Sequence, residues 1–403
     1  MSVPSPGLLS SCSDLAGPTR AAAPVRQAKL LFLVTEDWYF CSHRLPVARA
    51  ARAAGFDVVV ATRVAGHGEV IRDEGFAVRP LAWRRRGDGL GGAVRSIADI
   101  ARLYRRERPD ILHHVALKPI LFGAAAVRLA FRRGEAPALL AAVMGLGSGA
   151  AAGLRRAALS RALRWAVRGG RVVVQNPDDA GVLAGIGIDP SRIALIRGSG
   201  VDIRHFVPLP EPPGPPLRVG LVARMLKSKG VLDAAAAIRR LRAQGLAIEL
   251  VLAGPTDPDN RDTLGTEALA ALAAEPGIAW LDRVDDVREV WRRCAIAVLP
   301  STYGEGLPKA LLEAAACARP IVAANIPGCR EIVRPGHSGI LVPPGDPDAL
   351  AAALADLAGD PARRRALGQG GRALVEREFA ETLVAEQTVA LYRSLLAETA
   401  RAA

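Results

Sequence analysis

Short apolar runs alternate with longer amphipathic segments along most of the chain. The runs of the first half are rich in Val, Ile, Leu and Ala, and they lie at 30–34, 58–62, 77–81, 111–115, 139–143 and 172–175. A second series lies at 218–223, 248–253, 278–281, 296–299, 321–324 and 340–342. Unbroken apolar runs without polar alternation are typical of strands that are covered on both faces. The alternation therefore predicts an α/β protein with two Rossmann-like domains, each built on a parallel sheet.

A proline-rich segment separates the two series. Residues 208–216 read PLPEPPGPP, and a helix or a central strand cannot form where six of nine residues are proline. We predict a stiff linker there, between an N-terminal domain at 29–207 and a C-terminal domain at 217–377. Residues 1–28 are rich in Ser, Pro, Gly and Ala and are predicted to be a disordered tail. The amphipathic pattern of 378–403 predicts a long terminal helix, beginning at Glu378.

Composition agrees with a folded protein that has two cores. The chain has 403 residues, of which 50% are hydrophobic and 23% are charged. Its net charge of +13 belongs to the first half, where residues 1–200 hold 29 Lys and Arg against 15 Asp and Glu. This charge suits an anionic membrane, a phosphorylated substrate or nucleic acid, or it is an arginine-rich background. Nucleic acid is not favoured, because aromatic residues are only 4% and no base-stacking motif occurs.

Several classes of site are not supported by the sequence. The five cysteines are far apart and have no CxxC spacing, which excludes a zinc site or a disulfide framework and fits a reducing cytoplasm. No metal site is expected, since the six histidines lack HExxH spacing. The aspartate pairs at 178–179 and 285–286 stand where helices are predicted to begin, and we interpret them as caps. No segment is a convincing membrane span.

The first candidate site is the loop after the first strand of the second series. Only five of the 53 basic residues are lysine, and two of these five lie in this loop, which reads ARMLKSKG. Arg224 and Lys229 would stand at a strand-to-helix turn, where free N–H groups and the helix dipole also favour an anion. A diphosphate fits such a turn. A solvated basic loop is the alternative, since the spacing is not that of a Walker motif.

The second candidate site follows the strand at 296–299 and reads PSTYGEGLPKALLEAAA. Glu305 lies in a glycine-flanked loop, and the N–H groups of Gly306 and Leu307 with the Lys309 ammonium would face an anionic ligand at the helix start. Glu313 lies further along the same helix. Because its neighbours are apolar, it is expected to be buried, and a buried glutamate needs a partner. Both carboxylates are suitable acceptors for sugar hydroxyls.

These motifs resemble a known family. The phrase GEGLPKALLEAAACARPIVA, with ARMLKSKG before it and PGCREIVRPGHSGILVPPGD after it, resembles the retaining family 4 glycosyltransferases, which have the GT-B fold. The N-terminal phrases VTEDWYFCSHRLPVARAARAAGFDVVVATRV, HHVALKPILFG and VMGLGSG resemble bacterial enzymes that add a sugar to a polyprenyl-diphosphate-linked saccharide. Bacillosaminyl-diphospho-undecaprenol N-acetylgalactosaminyltransferases are among them. The GT-B fold implies two parallel sheets that face each other across a cleft.

The resemblance implies a role for each matching position of the second domain. Arg224 and Lys229 would hold the diphosphate of a nucleotide sugar, Glu305 would contact the transferred sugar, and Glu313 would accept hydrogen bonds from the ribose. The donor would be a nucleotide diphosphate sugar, with a UDP-sugar expected, and no cofactor is implied.

The resemblance also implies where the nucleobase packs, namely on the loop LDRVDDV. The family commonly has a glycine where this chain has Asp282. The contacts with the base are therefore assigned to this loop as a whole. Arg283 and Val284 are the candidate residues for them.

On the acceptor side, the family usually has a Gly-Gly pair after its first strand, whereas this chain has Thr-Glu-Asp followed by Trp38. Trp38 and His43 are acceptor-side candidates in that loop. His113 and His114 end the fourth strand, where the family places a histidine near the reacting centre, and a structural role is the alternative for each. Lys118, in the following loop, is a candidate for an acceptor phosphate.

The resulting expectation is a hexosyltransferase of the EC 2.4 class, retaining by resemblance, that acts in bacterial glycan assembly. An epimerase of the same fold and a basic binding protein without catalysis are the alternatives. A cytoplasmic protein on the inner face of the plasma membrane is expected, because the segment GLRRAALSRALRWAVR places Arg161, Arg164 and Arg168 on one side of a helix. Arg84, Arg85 and Arg86 add charge in another loop of the same domain. An ordinary helix with an arginine surface is the alternative.

Overall fold

In a computed structural model, the protein is described at residues 27–83, 89–132, 134–145 and 154–402. Within these ranges it forms two α/β domains, each built on one parallel sheet. Nearly all of the predicted tail lies outside the described residues, as do Arg84, Arg85 and Arg86.

The first sheet has seven strands in the described part of the chain. They are β1 Lys29–Glu36, β2 Asp57–Arg63, β3 Ala77–Pro80, β4 Ile111–Val115, β5 Ala138–Ala142, β6 Arg171–Val174 and β7 Ile193–Leu195. Their order across the sheet is β3-β2-β1-β4-β5-β6-β7, with parallel pairing throughout. The helices between them are α1 Asp37–His43, α2 Leu45–Ala53, α3 Gly68–Asp73, α4 Gly89–Glu107, α5 Leu117–Ala130, α6 Leu154–Ala166 and α7 Pro177–Gly185.

The second sheet has six strands, all within the described residues. They are β8 Leu217–Val222, β9 Ile248–Ala253, β10 Ile278–Trp280, β11 Ile296–Leu299, β12 Ile321–Ala324 and β13 Gly339–Val342, in the order β10-β9-β8-β11-β12-β13. The helices of this part are α8 Val231–Ala243, α9 Thr266–Ala273, α10 Arg288–Arg293, α11 Lys309–Ala316, α12 Pro327–Ile332, α13 Pro347–Gly359, α14 Pro361–Glu378 and α15 Glu381–Ala402.

The apolar runs form these sheets because helices cover both faces. Every residue of β4, β11 and β12 is buried, which confirms the reading of unbroken apolar runs as doubly covered parallel strands. All twelve predicted strands are present, with ends shifted by at most two residues. The sequence analysis missed β7, whose three residues are only partly buried or exposed.

The predicted terminal helix is present as α15, but it begins at Glu381 and not at Glu378. Helix α14 continues to Glu378, and α15 begins at Glu381 after a break at Phe379 and Ala380. Phe379 is buried in the second domain, whereas Tyr392 of α15 is buried in the core of the first domain. The terminal segment therefore crosses back, and α15 covers the first sheet beside α2.

The proline-rich linker is fastened to the second domain by two buried arginines. Arg319 donates to the carbonyl oxygens of Leu209 and Pro210 at 3.2 and 2.7 Å. Arg364 pairs with Glu211. These charge-assisted hydrogen bonds hold the linker against the end of the second sheet opposite the candidate site.

Both strand orders contain a point where the direction of winding reverses. It lies between β1 and β4 in the first sheet and between β8 and β11 in the second. In open parallel sheets, ligands bind in the crevice that opens beyond the carboxyl ends of the strands at this point. The loops after β1, β4, β8 and β11 are therefore where a site is expected, and they carry the candidate residues.

Candidate active site

The turn after β8 brings a lysine to the end of β11. Lys227, Ser228 and Lys229 form a single 3-10 turn, and Gly230 follows with a left-handed φ of 72° before α8 begins. A Cβ at Gly230 would lie 2.1 Å from the carbonyl oxygen of Pro300, so a side chain there would push the two loops apart. This close approach is what carries Lys229 to the loop of Glu305.

Lys229 and Glu305 form an ion pair in this crevice. The Lys229 Nζ contacts Glu305 Oε1, and the Ser301 hydroxyl donates to the same oxygen at 2.9 Å. Both charged side chains are more than four-fifths buried. Arg224, in the loop between β8 and this turn, pairs with Asp257, which is also buried. The structure thus brings a guanidinium, an ammonium and a carboxylate to the carboxyl ends of β8 and β11.

Glu313 is buried one turn inside α11, as its apolar neighbours predicted. Leu311, Leu312 and the following alanines are all buried, so the helix is enclosed on every side. Burial raises the pKa of Glu313 to about 7, and the nearby Lys309 ammonium, with its Nζ 3.8 Å from Glu313 Oε1, opposes that rise. Glu313 is therefore a poorly solvated carboxylate that would gain from hydroxyl donors.

Lys309 also connects the two domains at the start of α11. Its Nζ donates to the carbonyl oxygen of Ser42, at the end of α1 in the first domain, at 2.7 Å. Gly306 and Leu307 touch the first domain as well. The carbonyl oxygen of Gly306 accepts from Asn176, and Leu307 packs against Gly198. The helix start predicted to face a ligand is thus also a contact between the domains.

The predicted nucleobase loop lies at the end of β10. Asp282 has a φ of 49°, a left-handed conformation that favours glycine, and its carbonyl oxygen accepts from the Gly254 N–H at 2.7 Å. Val284 packs against a small buried cluster that includes Val251 and Val290, while the side chain of Arg283 is exposed. The contact of both residues with a base stays a prediction.

The aspartate pairs are only partly caps. Asn176, not Asp178 or Asp179, is the N-cap of α7, because its side chain accepts from the Asp179 N–H. Asp286 accepts from the Arg288 N–H at 3.0 Å at the start of α10. The Arg288 guanidinium on the same carboxylate lowers the pKa of Asp286 to about 2.

Trp38 and His43 both lie on α1, directly after β1. His43 stacks on Tyr39 with 4.3 Å between ring centroids, and the ring of Trp38 meets Tyr39 edge on. Burial first, and then the charges of Lys309, Arg44 and Arg224, lower the pKa of His43 to about 3. Two of these cations belong to the second domain. His43 is therefore a neutral imidazole on the first-domain side of the cationic crevice.

The position expected to hold a Gly-Gly pair is a buried acid in this chain. Asp37 accepts hydrogen bonds from the backbone N–H groups of Ala65 and His67, both at 2.7 Å. The Asp37 carboxylate holds the loop after β2 against the end of β1. Its role is to position backbone, and as an anion it does not attract a phosphate.

The burial of His113 and His114 contradicts the expectation that either reaches a substrate. They point to opposite faces of the first sheet, and both are at most 1% exposed. His113 Nδ1 lies 2.6 Å from the Tyr392 hydroxyl, and His114 Nε2 lies 2.8 Å from the Tyr104 hydroxyl. Burial lowers the pKa of both, to about 3 for His114. They are neutral core residues bonded to tyrosines.

Lys118 lies in the first turn of α5 and not in a loop. Its Nζ stands over the rings of Trp83 and Phe122, at 5.6 and 5.2 Å from their centroids. These cation–π contacts hold a half-buried ammonium at the carboxyl end of β4. Its contact with an acceptor phosphate stays a prediction.

The residues that hydrogen-bond to the candidate site and hold it in place were not predicted from the sequence. Ser301 and Asp257 fix Glu305 and Arg224, and Asn176 reaches Gly306 from the other domain. Asn-Pro-Asp-Asp at 176–179 is a helix-start signal, and that signal could not show that the cap residue also contacts another domain.

Two absences concern the described part of the chain. No group of three or more His, Cys, Asp and Glu residues there could hold a metal ion. None of the helices described is both long enough and apolar enough to cross a membrane.

Comparison with known families assigns both domains to glycosyltransferases. Residues 29–174 match the family model described as glycosyl transferase 4-like, and residues 216–360 match the one described as glycosyl transferases group 1. Together the two matches cover about seven tenths of the chain. The chain therefore carries both domains of a group 1, family 4 type glycosyltransferase.

Curated relatives agree with this class. The alpha-maltose-1-phosphate synthase of Mycolicibacterium smegmatis is 31% identical over 233 residues, which are 52% of this chain and 59% of the relative. The capsular polysaccharide biosynthesis glycosyltransferase CapM of Staphylococcus aureus is 25% identical over 181 residues, 45% of this chain and 47% of the relative. The matched regions thus span about half of these relatives.

Among solved structures, Anabaena HepE in complex with UDP and glucose is similar with a TM-score of 0.73 and 18% identity. The similarity covers 91% of this chain and 100% of that one. It defines the fold of the chain as GT-B.

Proposed function

We propose that the protein transfers a hexose from a nucleotide diphosphate sugar, with a UDP-sugar as the expected donor, to a polyprenyl-diphosphate-linked saccharide. The observation that carries the donor half is the Lys229–Glu305 pair at the ends of β8 and β11, with the buried Glu313 on the helix beyond it. An anionic diphosphate would be bound by Arg224, Lys229 and the free N–H groups at the start of α11.

Each charged group has a distinct task in this proposal. When the sugar leaves, negative charge develops on the diphosphate, and the ammonium of Lys229 and the guanidinium of Arg224 stabilise it. Once Lys229 turns to the diphosphate, Glu305 is free to accept hydrogen bonds from sugar hydroxyls. Glu313 would accept hydrogen bonds from the ribose, which would offset the cost of its burial.

The crevice can receive an acceptor from the first domain. His43 and Trp38 on α1 and Lys118 on α5 stand at the carboxyl ends of β1 and β4, the reversal point of that sheet. The neutral His43 lies on the first-domain side of the crevice, from which the acceptor hydroxyl would arrive. Lys118 would hold an acceptor phosphate. Retention at the anomeric carbon is proposed from the resemblance to family 4.

A membrane-bound acceptor is supported by the surface of the first domain. Arg161 and Arg164 of α6 are exposed, while Leu163 and Ala166 of the same helix are buried. Arg168 is exposed as well, but it lies beyond Ala166, where the helix ends, and not on the helix as expected. At the start of α4, Leu90 is 90% exposed and Val94 is 68% exposed. Exposed apolar side chains and exposed arginines on one domain suit peripheral contact with an anionic membrane. On this proposal the protein works at the inner face of the plasma membrane.

Neither alternative explains the site as well. An epimerase needs no acceptor, and a basic binding protein needs no buried carboxylates at a helix start. The glycosyltransferase domain matches in both halves favour transfer over either.

The test screens nucleotide sugars by thermal shift and then assays the donor that binds with a polyprenyl-diphosphate-linked saccharide. We expect the acceptor to gain one hexose, with its anomeric configuration retained by NMR. Turnover of the nucleotide sugar without any acceptor would favour the epimerase. The absence of binding by every nucleotide sugar would favour the binding protein.

A further inference from the structure

The loop that carries Glu305 is enclosed between the two domains. On one side, a Cβ on Gly145, after β5 of the first domain, would lie 2.8 Å from the Gly306 nitrogen and 3.2 Å from the Glu305 carbonyl carbon. On the other side, a Cβ on Gly328 of α12 would lie 2.3 Å from the Gly306 carbonyl oxygen. Contacts this close leave no room for side chains, so the peptide between Glu305 and Gly306 is in close contact with backbone of both domains.

Asn176 adds side-chain hydrogen bonds to these backbone contacts. The residue is fully buried, and its Nδ2 donates to the Gly306 carbonyl oxygen at 3.1 Å and to Asp179 Oδ2 at 3.0 Å. Its Oδ1 accepts from the Asp179 N–H at 2.8 Å. The last bond caps α7 and needs only an acceptor, whereas the bond to Gly306 needs an amide donor. One side chain thus has two separable tasks.

We infer that Asn176 is a positioning residue, through which the first domain sets the Glu305 carboxylate for the transferred sugar. Within the second domain, Glu305 is held by Lys229 and Ser301, and Lys229 is the residue that the diphosphate would draw away. With donor bound, the loop is then oriented by Ser301 and by the contacts at Gly306. The inference rests on the proposed function. It assigns the orientation of the Glu305 loop to the first domain, which would bind the acceptor.

Two consequences follow for the reaction. Binding of the bare nucleotide needs only the second domain, so it does not depend on Asn176. The extra affinity for the sugar and the turnover both depend on Glu305 and therefore on Asn176. Because a small displacement of a reacting group is costly, the effect falls on kcat more than on KM.

The test compares three variants with wild type. Asn176→Ser and Asn176→Asp keep the helix cap and remove the amide donor, and Asn176→Ala removes both. Asp178→Asn is the matched control, because it removes the charge from the ion pair of Asp178 with Arg330, an exposed inter-domain contact of 2.8 Å on the same helix that does not touch Gly306. Melting temperature, calorimetric affinity for UDP and for the UDP-sugar, and kcat with acceptor are measured for each.

We expect the Ser and Asp variants to keep the UDP affinity of wild type. The Ser variant should melt between wild type and Asn176→Ala, because it keeps the cap but leaves the Gly306 carbonyl oxygen without its donor. The Asp variant should melt lower than the Ser variant, because it places a second carboxylate beside Asp179 in a buried site. The kcat of both variants should fall about 10- to 100-fold, and their preference for the UDP-sugar over UDP should shrink. Asp178→Asn should behave as wild type. Wild-type kcat in both the Ser and the Asp variants would overturn the inference and leave the proposed function intact. A wild type that binds and turns over no nucleotide sugar would overturn both.

Discussion

At the scale of single residues, the sequence identified charge and burial better than it identified catalytic contact. Glu313 was predicted to be buried because its neighbours are apolar, and it is. His113 and His114 could not be assigned in the same way, because a strand end in an apolar run fits a core residue as well as a cleft residue. Only their tyrosine partners, more than 250 residues apart along the chain for His113, show which it is.

Replacing the two cations tests the diphosphate assignment. Arg224→Ala or Lys229→Ala should each cost roughly 2 to 4 kcal/mol of transition-state stabilisation, because on the proposed function each removes a charge that would face the leaving group. Steady-state kinetics should show activity lower by about 100-fold or more. Lys227→Ala, which removes an exposed lysine from the same turn, is the control. A double variant with near wild-type turnover at saturating donor would remove the assignment.

The raised pKa of Glu313 predicts a pH-dependent stability. Burial disfavours its ionised form in the folded protein, so its contribution to stability is complete below about pH 4.5 and is lost as the pH rises through about 7. Glu313→Gln removes this titration. The free energy of unfolding of the variant should therefore rise relative to wild type, by about 3 kcal/mol from pH 4.5 to pH 8.

Urea denaturation at both pH values measures this difference. Glu267→Gln, which removes an exposed carboxylate, controls for the loss of one negative charge. A difference between Glu313→Gln and wild type that stays constant with pH would contradict the burial of a titrating carboxyl at this position.

At the scale of helices and strands, the strength of the local pattern decided what could be predicted. Twelve strands were found because each contains an apolar run, even where the strand is partly exposed, as in β3 and β10. Strand β7, whose three residues are only partly buried or exposed, was missed. No proline or glycine marks the break between α14 and α15 in the sequence. It follows from the pairing of Ala380 with Val201, a contact between distant parts of the chain.

Helix α6 carries the prediction about membranes. If the exposed Arg161 and Arg164 of this helix, and Arg168 just after it, meet an anionic bilayer, each contributes about 1 kcal/mol near the surface, screened over about 8 to 10 Å. Binding to vesicles should rise with anionic lipid, weaken with salt, and drop when Arg161, Arg164 and Arg168 become glutamine. Vesicle co-sedimentation measures this, with UDP affinity expected to be unchanged.

The control for that prediction changes the same charge elsewhere. Three arginines of the second domain that form exposed ion pairs are replaced by glutamine in the control variant, namely Arg240, Arg292 and Arg363. If both triple variants lose vesicle binding equally, net charge and not the α6 surface is responsible. If the α6 variant binds as tightly as wild type, its arginines are ordinary solvated side chains.

At the scale of the whole molecule, the sequence predicted two domains and the fold but not how they meet. The apolar face of α15 indicates that the helix is buried, yet it does not say against which domain. The contacts of Gly145 and Asn176 with the Glu305 loop, and of Lys309 with Ser42, join residues 130 to 267 positions apart. Such contacts depend on the placement of whole domains, which local patterns do not encode.

The proposed function requires this crevice to bind a nucleotide sugar, with Glu313 on the ribose and Glu305 on the sugar. The most direct measurement is calorimetric titration of UDP and of the UDP-sugar into wild type, Glu305→Ala and Glu313→Ala, paired with turnover. Glu313→Ala should weaken both ligands, whereas Glu305→Ala should bind UDP as wild type does and lose turnover. Loss of UDP binding in Glu305→Ala with intact binding in Glu313→Ala would contradict the account.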